Sequence, residues 1–124
     1  MSNIKTVNIV TLGCSKNQVD SEVIAAQLQK RRLKVFHEAE KDCDAVIINT
    51  CAFILDAKEQ SVETILMYAE RKKKGYIKKL YVMGCLVERY RDELATAIPE
   101  VDGFFGFSDL NKLFEEKSTF DILG

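Results

Sequence analysis

Three short apolar, β-branched runs each end on a cysteine: VNIVTLGC at Cys14, AVIINTC at Cys51 and LYVMGC at Cys85. Each is followed by a segment of helical periodicity. Strands that alternate with helices are joined by right-handed crossovers into a parallel sheet covered on both faces. The predicted architecture is therefore α/β and doubly wound, a mostly parallel sheet of about five strands in the order 2-1-3-4-5. All three thiols would then leave the sheet at its carboxyl end, on strands one, three and four. The winding reverses between strands one and three, so Cys14 and Cys51 flank the predicted crevice and Cys85 stands one strand further along.

The rest of the chain fits that frame. Residues 6–12 form strand one, and Asn17 is the expected cap of a helix whose third residue is Asp20 and whose apolar positions are Val19, Val23, Ile24 and Leu28, up to Arg31. KVFH at 34–37 reads as a short edge strand flanked by charge. Ala45–Ile48 is strand three, and Asp56 with Glu59 resembles a capping box opening a helix that carries Val62, Ile65, Leu66 and Ala69. Leu80–Met83 is strand four; Leu86, Tyr90, Leu94 and Ile98 line the next helix until Pro99 stops it. A fifth strand at 103–107 and a final helix with Leu110, Leu113 and Phe114 inward complete the pattern. Tyr68, Tyr76, Tyr81 and the phenylalanines are expected in the core or half-buried.

At 124 residues with 47% apolar content, one domain with a single core is expected. Lys plus Arg number 18 against 19 Asp plus Glu, so no global field favours nucleic acid or a membrane. Lysines 72–74 followed by Gly75 are the ordinary chemistry of a helix C-terminus, and no direct nucleic-acid contact is expected of this domain. No apolar run of about 18 residues is present, and MSNIKTV lacks the apolar stretch of a signal peptide, so a cytoplasmic location with reduced thiols is the default. Four cysteines then point to metal binding or catalysis rather than disulfides.

Thiolates bind zinc, copper(I) or iron–sulfur clusters, and a helix N-terminus stabilises negative sulfur. The trio has no CxxC pair, which disfavours a structural zinc site. Three thiolates with an open fourth position suit a 4Fe–4S cluster with one free iron. His37 is a weak fourth ligand, more simply an edge-strand histidine. The plain alternative for the trio is three buried small hydrophobes. Cys43 precedes strand three, lies at the opposite end of the sheet and should not join the site.

TLGCSKNQVDSE at 11–22, INTCAFI at 48–54, GCLVERY at 84–90 and VDGFFG at 101–106 resemble the N-terminal domain of the methylthiotransferases, a branch of the radical S-adenosylmethionine enzymes. Ser15-Lys16-Asn17 and Glu88-Arg89-Tyr90 look like the RimO type, which modifies a ribosomal protein; the alternative, tRNA-modifying MiaB type usually carries Gln-Met-Asn after the first cysteine. The resemblance implies that Cys14, Cys51 and Cys85 hold an auxiliary 4Fe–4S cluster supplying sulfur for β-methylthiolation of an aspartate in small-subunit ribosomal protein S-twelve. It also implies that Asn17, Asp20 and Asn49 shape the cluster loops, although capping and turn formation would explain Asn17 and Asp20 equally well. The second cluster of that chemistry needs a CxxxCxxC motif, absent here, so residues 1–116 are expected to be the cluster-binding domain and 117–124 the start of a linker to a radical domain. Alone, such a domain would not cleave S-adenosylmethionine. Two other classes stay open: a metal-free doubly wound module binding a flavin or small ligand, for which GxGxxG is missing, and a zinc-stabilised or purely structural interaction domain.

Overall fold

The computed structural model describes residues 5–12, 15–38, 43–50 and 55–105, with the backbone alone at 15–17, 55–58 and 85. In chain order the elements are β1 (Thr6–Thr11), α1 (Ser15–Lys30), β2 (Lys34–His37), β3 (Ala45–Thr50), α2 (Leu55–Lys73), β4 (Lys79–Gly84), α3 (Cys85–Ala97) and β5 (Gly103–Phe105). Every strand pairing is parallel and the order is β2-β1-β3-β4-β5, as the alternation predicts. The expected final helix lies outside the described residues.

Burial follows from where each strand sits. β3, in the middle of the sheet, is buried at all six positions, whereas β2 at the edge buries none fully. One face packs Ile24, Ala25 and Leu28 of α1 on Val7, Ile9, Ile47 and Met83. The other packs Ile65, Tyr68 and Ala69 of α2 and Leu86, Val87 and Leu94 of α3 on Val10, Val46, Ile48 and Val82. The amino edge of the sheet is closed by two carboxylates. Asp44 accepts from the amides of Lys5 (2.8 Å) and Thr6 (3.3 Å), and Asp102 accepts from the amide of Leu80 (2.8 Å).

Several expectations need correction. α1 already includes Ser15 and α2 already includes Leu55, so Asn17 and Asp56 lie inside their helices rather than capping them. Val19 and Val23 are 56% and 52% exposed, and Leu66 is 50% exposed, so these three do not face the core. Tyr68 and Tyr81 are buried as expected, but Tyr76 is 60% exposed. β5 is described over Gly103–Phe105, the rest of the expected 103–107 strand lying outside the described residues, and α3 bends at Tyr90, whose φ of −128° and ψ of 25° are not helical.

Candidate functional site

The carboxyl ends of β1, β3 and β4 lie side by side. Thr11 pairs with Asn49 across the β1–β3 ladder, and the Leu12 amide donates to the Asn49 carbonyl at 2.9 Å. Across the next ladder Thr50 pairs with Gly84. Chain connectivity then fixes the start of three departures from one edge: residue 13 follows Leu12, residue 51 follows Thr50, and Cys85 is the first residue of α3. Neighbouring strands lie about 4.8 Å apart, so Thr50 at the end of β3 stands one strand spacing from Gly84, the residue before Cys85.

Thr50 ties two of those departures together. Its side chain is fully buried, its hydroxyl donates to the Met83 carbonyl at 2.6 Å, and it accepts from the Leu86 amide at 3.3 Å. That amide is one of the N–H groups a helix start leaves without an intrahelical partner, so β3 satisfies the first turn of α3. Gly84 makes the close approach possible. Its φ is +105°, and a Cβ there would sit 2.5 Å from the Thr50 carbonyl oxygen and 2.9 Å from Asn49 Oδ1. Only glycine fits both the dihedral and the space.

On the other side, Asn49 is fully buried and its Nδ2 donates to Ser21 Oγ at 3.1 Å, while Ser21 Oγ and Thr11 Oγ1 share a hydrogen bond of 2.7 Å. These contacts pin the first turns of α1 to the ends of β1 and β3. One turn position away, Asp20 Oδ2 is buried and has no hydrogen-bond partner among the described residues. A buried carboxyl oxygen with no donor costs free energy.

The sequence-predicted residues fall as follows. Cys14 and Cys51 lie outside the described residues, and Cys85 opens α3. Asn17 is in the first turn of α1, Asp20 precedes Ser21 in the same helix, and Asn49 lies at the joined ends of β1 and β3. Cys43 is buried, 3% exposed, and stands before β3 at the opposite end of the sheet, as expected. His37 is the last residue of β2 and lines a cleft of about 310 Å³ with Thr11, Gln18, Ser21, Glu22 and Glu38. That cleft lies on the β2 side of β1, whereas the predicted crevice was between β1 and β3. Its floor is set by Glu38, whose Oε2 accepts from the Thr11 amide at 2.7 Å. Thr50 and Gly84 were missed as site residues, although each immediately precedes a cysteine in the sequence.

Residues 6–106 match the model of a family described as "Uncharacterized protein family UPF0004". Among curated proteins, the chain is 50% identical over 121 residues to a protein of Bacteroides thetaiotaomicron named "Ribosomal protein uS12 methylthiotransferase RimO", covering 91% of this chain and 28% of that protein. Proteins of the same name from Phocaeicola vulgatus and Cytophaga hutchinsonii are 51% and 48% identical, covering 90% and 92% of this chain and 26% of each relative. The chain thus spans about a quarter of the length of the curated relatives it matches.

Proposed function

The chain belongs to the family UPF0004, and from that premise we propose that it is the amino-terminal, cluster-binding domain of a ribosomal protein methylthiotransferase of the RimO type. In this reading Cys14, Cys51 and Cys85 hold an auxiliary 4Fe–4S cluster, and the longer enzyme modifies an aspartate of ribosomal protein uS12 with S-adenosylmethionine as co-substrate. The substrate class rests on the names of relatives about half identical over nine-tenths of the chain. The observation that carries the cluster assignment is the joining of the carboxyl ends of β1, β3 and β4, with the Thr50 hydroxyl bridging β4 and the first turn of α3.

The residues present suit such a group. Three cysteines that follow adjacent strands in the sequence, none in a CxxC pair, match a cluster better than a tetrahedral zinc site. Gly84 leaves no Cβ where β4 hands over to Cys85. A cluster held by Cys14, Cys51 and Cys85 would supply the sulfur chemistry, and these three residues would be its ligands. The chain's own contribution is positional. Cys85 is the first residue of α3, and a helix N-terminus is an environment that stabilises negative sulfur. Thr50 and Asn49 fix the strand ends against α3 and α1, and Asp20 faces the same junction from α1. Asn17, one turn earlier, completes the loop-shaping set.

Anaerobic reconstitution with iron and sulfide tests the reading. About four irons per chain are expected, lost in Cys14→Ala, Cys51→Ala and Cys85→Ala and kept in Cys43→Ala. Stoichiometric zinc instead, or a cluster that disappears with Cys43 and persists without Cys85, overturns it.

A further inference from the structure

Cations that are scattered along the sequence converge at the amino end of the sheet. The end of α1 and start of β2 bring Lys30, Arg31, Arg32 and Lys34 there, and β1 is preceded by Lys5. The end of α2 and start of β4 add Arg71, Lys72, Lys73, Lys74, Lys78 and Lys79. The described acids at that end are Asp44, Glu70, Glu100 and Asp102. Among the described residues, eleven basic residues are thus set against four acidic ones at that end, an excess of seven positive charges there on a chain whose net charge is −1.

Helix-end chemistry accounts for only part of this. Three helices end here, and each contributes roughly half a negative charge, about 1.5 in all, so about five positive charges remain in excess. The ion pairs described at this end are of two kinds. Lys72 is held, 2.8 Å from Asp102 and 2.7 Å from the Glu100 carbonyl. The pairs Lys73–Glu100, Lys78–Asp44 and Lys79–Asp102 are loose, at 3.9, 3.8 and 3.9 Å, on lysines 62%, 52% and 42% exposed. Such exposed pairs exchange readily for another anion.

An aromatic ring stands within the basic rim. α2 ends in a paired turn in which the Gly75 amide donates to the Lys72 carbonyl and the Tyr76 amide to the Arg71 carbonyl, with Gly75 at φ +85°. In this motif the residue after the glycine ordinarily packs back on the helix. At the matching turn ending α1 that residue is Leu33, which is buried with Leu28. At the end of α2 it is Tyr76, 60% exposed, between Lys74 and Lys78.

We propose that the amino end of the sheet is a docking surface for single-stranded RNA, with the phosphodiester backbone on the basic rim and an unstacked base on Tyr76. Cations without an aromatic would serve an acidic protein as well; a presented tyrosine among lysines is the combination that suits a base and its flanking phosphates. The surface is at the opposite end of the sheet from the start of α3 at Cys85, so it requires neither a cluster nor the proposed chemistry.

The test is fluorescence anisotropy of a labelled single-stranded RNA of about 12 nucleotides titrated with the full chain, without iron, at salt from about 50 to 200 mM. Affinity should fall with salt, and replacing Lys34 and Lys74 together by Gln should reduce the log–log slope by about 1.4. Tyr76→Ser should weaken binding about 5- to 150-fold at fixed salt with the slope unchanged. All three side chains are exposed, and far-UV circular dichroism checks that each variant is folded. No binding at the lowest salt, or an affinity that ignores Tyr76 and is matched by a poly-glutamate peptide, overturns the proposal.

Discussion

Two glycines with positive φ separate the conformational cost of a side chain from its steric cost. Gly75 at +85° has open space around the position of a Cβ, whereas Gly84 at +105° has the Thr50 backbone 2.5 Å away. Ala at either position meets a backbone cost of about 1–2 kcal/mol. At Gly84 the overlap with β3 adds about 1–3 kcal/mol, because neither strand end can retreat without breaking its ladder. Gly84→Ala should therefore lower the melting temperature by roughly 10–20 °C and Gly75→Ala by less than about 10 °C, measured by thermal denaturation. Equal shifts would show that the close approach at Gly84 is relaxed in solution. Glycine before a cysteine was visible in the sequence; that its missing Cβ is what lets β4 meet β3 was not, because the neighbour is 34 residues away.

At the scale of elements, strand type and order were legible because alternation of apolar β-branched runs with helical segments admits few topologies. Helix starts were not. Asn17 and Asp56 have capping chemistry, but both helices begin before them. Facing was only half legible. Val19 and Val23 are four residues apart, as are Ile24 and Leu28, and at about 100° per residue the two pairs lie on nearly opposite sides of α1. Spacing identifies both stripes; the sheet chooses Ile24 and Leu28. Helix ends carry a second lesson. α1 closes with the same paired turn as α2, but with Arg32 at φ 66° where α2 has glycine. Arg32→Gly should raise stability by about 1 kcal/mol, read as a higher urea midpoint with unchanged slope. The link between β3 and α3 is more costly to lose. Thr50→Val keeps the shape but leaves the Leu86 amide and Met83 carbonyl without their hydroxyl partner, for a loss of about 1–3 kcal/mol by the same assay.

Across the whole molecule, stability is graded from the centre outward. β3 is buried along its length and paired on both sides, while β2 is short, pairs only with β1 and exposes Lys34 and His37. Hydrogen exchange should show amides of β3 and β4 opening only with global unfolding and those of β2 exchanging through local opening; uniform protection would contradict that gradient. No described helix is long and apolar enough to cross a membrane. Charge placement was the least legible property. Composition is nearly neutral, and each basic run looks like a local helix end; the excess emerges only when the topology brings three such runs to one edge. At the candidate site the shared edge was legible in the opposite way, since cysteines at matching places after three apolar runs point to one edge, and the described ends of β1, β3 and β4 do lie side by side; Cys14 and Cys51 themselves lie outside the described residues. What the cysteines could not declare is the lock at that edge, Thr50, whose role depends on a helix beginning 35 residues later.

The bend at Tyr90 bears on how that lock behaves under load. Helical dihedrals run from Cys85 to Arg89 and are interrupted before the helix resumes. The first turn of α3 is tied to β3 by the Thr50 hydroxyl, and residues on both sides of the bend, Leu86 and Val87 before it and Leu94 after it, pack in the same core. A load at the start of α3 would therefore reach the sheet by two routes, directly through Thr50 and through the core that both halves of the helix cover.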